Sequence, residues 1–153
     1  MTALALATLA LPTLALGGCS VVNDALGDGE AGVFTLVVGD CLNDADETGD
    51  VSTVPIVPCE GPHDSEVYAS VMMDDPEYPG EEATIAAADA ACRLKFADFV
   101  GIPVDDSIYS YATLYPTSDS WSGGDREILC RIALLSDDGR VTPVSGSLAG
   151  SAR

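Results

Sequence analysis

Positive charge is what this 153-residue chain has least of. Six Lys and Arg, of which Lys95 is the one lysine, stand against 25 Asp and Glu, for a formal net charge of −19. Such a surface repels nucleic acid, anionic lipid and anionic wall polymers, so no nucleic-acid partner is expected; cations and basic protein surfaces would be attracted. Histidine is almost missing as well, since His63 stands alone. No GxSxG occurs, which removes the usual strained-turn serine nucleophile, and no CxxC occurs, which removes the common paired-thiolate metal motif. Long apolar runs are also lacking. The run from Ala3 to Leu16 spans 14 residues and contains Pro12, short of the ~20 that a membrane-spanning helix requires.

That short run ends in Leu16-Gly17-Gly18-Cys19, which looks like a bacterial lipobox: an aliphatic residue, two small ones, then a cysteine that receives lipid. No Lys or Arg precedes the apolar core, a departure from ordinary export signals. The expected organisation is a lipoprotein signal peptide over residues 1–18, a flexible tether over 19–32 and one folded domain over 33–150. Cys19 is the expected lipidation site, and lipid on it would hold the domain at the outer face of the cytoplasmic membrane. About 135 residues would remain after cleavage, enough for one modest core and not two.

Within the domain, the β-branched run 33–38 reads as a strand stopped by Gly39-Asp40. Residues 51–57 read as extended, with Pro55 and Pro58 marking them as an edge or a bounded piece. In 66–72, Val67, Ala69 and Val71 fall on one face. A helix is predicted over 81–100, with Glu81 and Glu82 at its positive end and Gly101 and Pro103 as its stop. Ile85, Ala88, Cys92, Phe96 and Phe99 form its apolar stripe. Strands follow at 108–115 and 127–135, the latter with Ile128, Cys130, Ile132 and Leu134 on one face, then a turn at Asp137-Asp138-Gly139 into 141–148. The sum is α+β, one long helix packed on a small antiparallel sheet.

Four cysteines besides Cys19 permit three pairings. Cys92 lies on the apolar stripe of the helix and Cys130 on the aliphatic face of a strand, so both point at one interface and favour Cys92–Cys130. Cys41–Cys59 is then the remaining pair. Two disulfides fit a domain exported to an oxidising compartment.

Gly39-Asp40-Cys41-Leu42, Val57-Pro58-Cys59, Pro62-His63-Asp64, Cys92 with Phe96, and the block Pro116-Thr117, Ser120-Trp121, Gly124-Asp125-Arg126 and Cys130 occur in that order. This pattern resembles the septum-formation domain family, small exported domains of actinobacteria. The resemblance covers nearly the whole domain. It implies four paired cysteines, an extracytoplasmic location and a link with division septa, and it carries no catalytic residues across.

Several side chains are candidates for chemistry. His63, with Asp64 and Glu66 nearby, could serve an envelope hydrolase if a nucleophile faced it; the plainer reading is an imidazole satisfied by local backbone. Asp44, Asp46, Thr48 and Gly49 match the first positions of a calcium loop, leaving Asp44, Asp46 and Asp50 as weak ligands. Pro55 stands where the bidentate Glu belongs. Trp121, with Asp125 and Arg126 after two glycines, is either an aromatic binding anchor or a ring folded over the core with Arg126 on a carboxylate. Tyr109, Tyr111 and Tyr115 alternate and could form an exposed aromatic face beside it. The expectation is a lipid-anchored module binding an envelope or division protein, with Trp121, Asp125, Arg126, His63 and Tyr111 as candidate binding residues. No catalysis, cofactor or bound metal is expected.

Overall fold

The computed structural model describes residues 29–47 and 49–153. The predicted signal, Cys19 and residues 20–28 of the tether therefore lie outside the described residues, as does Thr48. In chain order the strands are Gly29–Gly32 (β1), Cys41–Leu42 (β2), Thr53–Val57 (β3), Pro62–His63 (β4), Ser65–Met72 (β5), Tyr109–Leu114 (β6), Glu127–Leu135 (β7), Val141–Thr142 (β8) and Val144–Ser145 (β9). Helix Glu81–Val100 (α1) joins β5 to β6, and the short Ser118–Ser122 (α2) joins β6 to β7. The main sheet runs β1-β3-β2-β5-β7-β6, with β8 added to β7, and all its pairings are antiparallel. β4 and β9 pair separately. The chain is α+β, one long helix on an antiparallel sheet held by two disulfides.

Both faces of the sheet are buried. On one, α1 packs Ala88, Cys92, Phe96 and Val100 against Tyr68, Ala69, Tyr109, Ile128, Cys130 and Ile132. On the other, the sheet curls so that Leu36, Leu42 and Val54 close over Val67 and Leu129. The helix ends where Gly101 takes φ 99° and returns its N–H to Ala97 O, a left-handed cap that glycine adopts without a Cβ penalty. Cys92–Cys130 pins α1 to β7 and Cys41–Cys59 pins β2 to the turn after β3, with Cα separations of 5.4 and 5.3 Å. Both pairings agree with the expected ones.

Three local expectations are corrected. Residues 33–38 are not a strand: Val33–Thr35 is one 3-10 turn, and Val37 and Val38 are exposed. The strand lies earlier, at β1, where Gly29 to Gly32 pair with Ile56 to Thr53, inside the stretch whose composition reads as tether. The turn is held locally, Thr35 Oγ1 donating to Gly32 O and Val37 N to the Asp40 carboxylate. The buried face of α1 is Thr84, Ala88, Cys92, Phe96 and Val100, and Ile85 is 41% exposed. Alanines dominate its first half, so the pattern there barely marks a face, and the Cys92 disulfide sets the rotation. Val67, Ala69 and Val71 do not share a face either. A bulge at Tyr68 shifts the register between Val67↔Arg131 and Ala69↔Cys130, sending Val67 to the second core while Tyr68, Ala69 and Val71 face the helix.

Candidate functional site

A cleft is lined by the turn after β1, the loop leading into β3, and the segment joining β6 to β7. Its larger part, about 440 Å³, is lined by Val33 and Phe34, by residues 49–52, by Thr113 to Tyr115 and by Leu129. A second part of about 340 Å³ shares Asp50, Tyr115, Thr117 and Asp119 with the first and reaches Tyr78 and Glu81. Five carboxylates border the two parts, those of Asp50, Glu81, Asp119, Asp125 and Glu127, and no Lys, Arg or His does. Asp125 accepts from Ser120 Oγ at 2.9 Å and from Glu127 N at 3.0 Å, and Glu127 accepts from Ser70 Oγ. Among the described residues, Asp50, Asp119 and Glu81 have no side-chain hydrogen bond or ion pair. The cleft is thus of mixed lining, with carboxylates as its only charges, three of them without a bonded partner among the described residues.

The wall carrying Thr117, Asp119 and Ser120 is rigid for local reasons. Thr117 caps α2, its Oγ1 accepting from Ser120 N at 3.2 Å while Ser120 Oγ accepts from Thr117 N at 2.9 Å. Such a reciprocal box satisfies two otherwise orphaned donors. Trp121 is 6% exposed and therefore part of this support rather than a free anchor. The Arg126 guanidinium lies 3.7 Å from the centre of its ring and donates to Trp121 O and Asp125 O at 2.9 and 2.6 Å. Arg126 thus meets an aromatic face and two carbonyls, not the expected carboxylate. Tyr78 packs on the Trp121 ring at 5.7 Å, which ties α2 to the loop before α1.

The tyrosines of β6 also turn inward. Tyr109 is buried, Tyr111 packs against Phe96 at 6.3 Å and donates to Asp89 at 2.6 Å, and only Tyr115 reaches the cleft. Partial burial, then the Asp89 contact, raises the Tyr111 pKa. Tyr68, buried beside it, donates to Cys92 O at 2.7 Å and is raised far more, by desolvation first and then by the Tyr111 and Asp89 charges.

His63 is fully buried; its Nδ1–H donates to Gly61 O at 3.0 Å, and Nε2 has no partner among the described residues. The groups adjacent in sequence go elsewhere. Asp64 accepts from Ala45 N at 3.0 Å and Ser65 Oγ donates to Asp44 at 2.8 Å. Glu66 accepts from Ser147 Oγ and Leu148 N, each at 2.7 Å. No hydrogen bond joins His63 to any of the three. Glu66 lies beside Cys41 and Cys59, but those sulfurs are joined to each other and are not thiolate ligands.

Asp44 is 7% exposed and takes Arg131 on one oxygen and Ser65 on the other. It is a buried counter-ion, unlike the solvated first ligand of a calcium loop, whereas Asp46 and Asp50 stay exposed. Burial lowers the Arg131 pKa, yet an arginine stays charged at any ordinary pH. Among the described residues no helix is long and apolar enough to cross a membrane.

Sequence reasoning groups Trp121, Asp125 and Arg126, with Tyr115 beside them, but does not bring Asp50, Asp119 and Glu127 to the same place. They come from separate segments brought together by the curl of the sheet, and only the acid excess hints at them.

Fold and cleft together define a small disulfide-stabilised α+β domain with an acidic cleft and no assembled nucleophile–base pair among the described residues. A family model described as "Septum formation" matches residues 38–153, and the chain belongs to that family. It is 37% identical over 125 residues to a protein named "Putative lipoprotein LppN" from Mycobacterium tuberculosis, and equally to its namesake from Mycobacterium bovis. Each alignment covers 78% of this chain and 63% of the relative, so the chain spans somewhat less than two thirds of the curated relatives it matches. No solved structure matches it.

Proposed function

We propose that this protein is a lipid-anchored interaction module of the actinobacterial cell envelope, with a role in septum formation. Residues 1–18 act as the export signal, and lipid on Cys19 fixes the chain to the outer face of the cytoplasmic membrane. The domain binds an envelope or division protein and performs no catalysis. The observation that carries the binding role is the acidic cleft, whose carboxylates at Asp50, Asp119 and Glu81 are left without a cationic partner while Arg126 and Arg131 are turned inward. Two disulfides support an oxidising compartment, and the name of the mycobacterial relatives supports the anchor. Fractionation of cells expressing wild type or Cys19→Ala tests the anchor. Wild type is expected with the membranes and Cys19→Ala in the soluble fraction; equal membrane association of both would overturn it.

A further inference from the structure

We infer that the open edge of β6 and the acidic cleft at its end together accept an extended, Lys- or Arg-bearing segment of a partner protein, added to the sheet as a further strand. The inference deepens the binding role proposed above and rests on the cleft being the binding site. β6 is the last strand of the sheet, and among the described residues no strand pairs with its outer edge. Pairing with β7 uses one side of its backbone; alternate N–H and C=O groups point to the other. Natural sheets blunt such edges with a charge, a proline or a bulge. β6 has none of these: Tyr109-Ser110-Tyr111-Ala112-Thr113-Leu114 is uncharged, and it keeps unbroken register with β7 from Tyr109↔Leu134 to Leu114↔Leu129.

The same strand leads into the cleft. Thr113, Leu114 and Tyr115 line it together with Phe34, which is 64% exposed. A segment laid along β6 makes main-chain hydrogen bonds, and its end enters a space of mixed apolar and polar lining bordered by Asp50 and Asp119. Main-chain bonding for affinity with pockets for selected side chains is how strand addition recognises peptides. Charge decides what that end must be: a lysine or arginine meets carboxylates that have no partner, and an acidic segment is repelled. A second copy of this chain carries the same acidic cleft and the same charge of −19, so pairing of two β6 edges brings like charges together.

Fluorescence anisotropy with the full chain and three labelled peptides tests the inference. The first is about eight residues of alternating valine and threonine ending in lysines, the second ends in glutamates, and the third is the lysine peptide N-methylated at alternate backbone amides. The lysine peptide is expected to bind. The glutamate and N-methylated peptides are each expected to bind about tenfold more weakly or worse, a difference of about 1.4 kcal/mol. Asp50→Lys combined with Asp119→Lys should weaken the lysine peptide by as much while the fold is retained; thermal unfolding should fall only slightly, because neither side chain has a bonded partner and the one cost is a cation in the first turn of α2. Equal binding of the N-methylated peptide would overturn strand addition yet leave the cleft as the binding site. Equal binding by the double variant would overturn the cleft itself. Failure of the lysine peptide to bind, or a dimer in sedimentation equilibrium that excludes it, would also overturn the inference.

Discussion

At the residue scale, stability hangs on a few buried polar groups held by one or two partners each. Arg131 and Asp44 are largely withdrawn from water, at 16% and 4% side-chain exposure. Removing one of two buried charges leaves the other uncompensated, which costs about 3–5 kcal/mol. Asp44→Ala should therefore lower the urea midpoint sharply, whereas Asp46→Ala, on an exposed side chain of the same loop, should change it by less than about 0.5 kcal/mol. Tyr68 gives a pH dependence whose sign is fixed. Its folded pKa is raised above the ordinary value of about 10, chiefly by burial. Below that value both states hold the proton and its contribution is constant. Above it the unfolded chain releases the proton and the folded one does not, so stability falls as pH rises through the window. Denaturation midpoints should show no Tyr68-dependent slope between about pH 8 and 9, and above about pH 10 should decline in wild type and decline less in Tyr68→Phe. That variant should also lose about 1 kcal/mol at neutral pH for the bond to Cys92 O.

At the scale of elements, α1 and its disulfide organise the first core. Phe96 is fully buried, its ring edge-on to Tyr68 at a centroid separation of 5.8 Å. Phe96→Ala should cost about 3–5 kcal/mol, and Ile85→Lys, on the exposed side, less than about 0.5 kcal/mol; comparable losses would show that the helix is rotated. Cys92–Cys130 closes a separation of 38 residues and Cys41–Cys59 one of 18. Loop-closure entropy assigns them about 4 and about 3 kcal/mol, so the paired Ala variants should rank in that order. The helix and the sulfur pairings were legible because their signals are local: two glutamates, a glycine stop, and cysteines on apolar faces. The β1 strand was not, because Gly29–Gly32 becomes a strand only by pairing with the edge that β3 offers. The Tyr68 bulge was hidden for a related reason, since one extra residue changes face parity without leaving a mark on a run of apolar side chains. For Trp121 the sequence left two readings open, a binding anchor and a ring folded over the core; burial in α2 agrees with the second, and the pairing with Arg126 through the ring face was not legible.

At the scale of the molecule, the acid excess acquires a location. Arg126 and Arg131 are turned inward onto Trp121 and Asp44, and Arg93 pairs with Asp105. The cleft is left with carboxylates alone. Attraction of a basic partner to such a site weakens with salt, because exposed charges are screened beyond a Debye length of ~8 Å at physiological ionic strength. The most direct test of this account is the position of the fluorescently tagged protein in growing actinobacterial cells, wild type beside Asp50→Lys/Asp119→Lys. Wild type should collect at division septa, and the double variant should remain with the membrane fraction but spread evenly around the envelope. A double variant that still collects at septa as wild type does would contradict the claim that the acidic cleft is the surface through which this domain binds its partner.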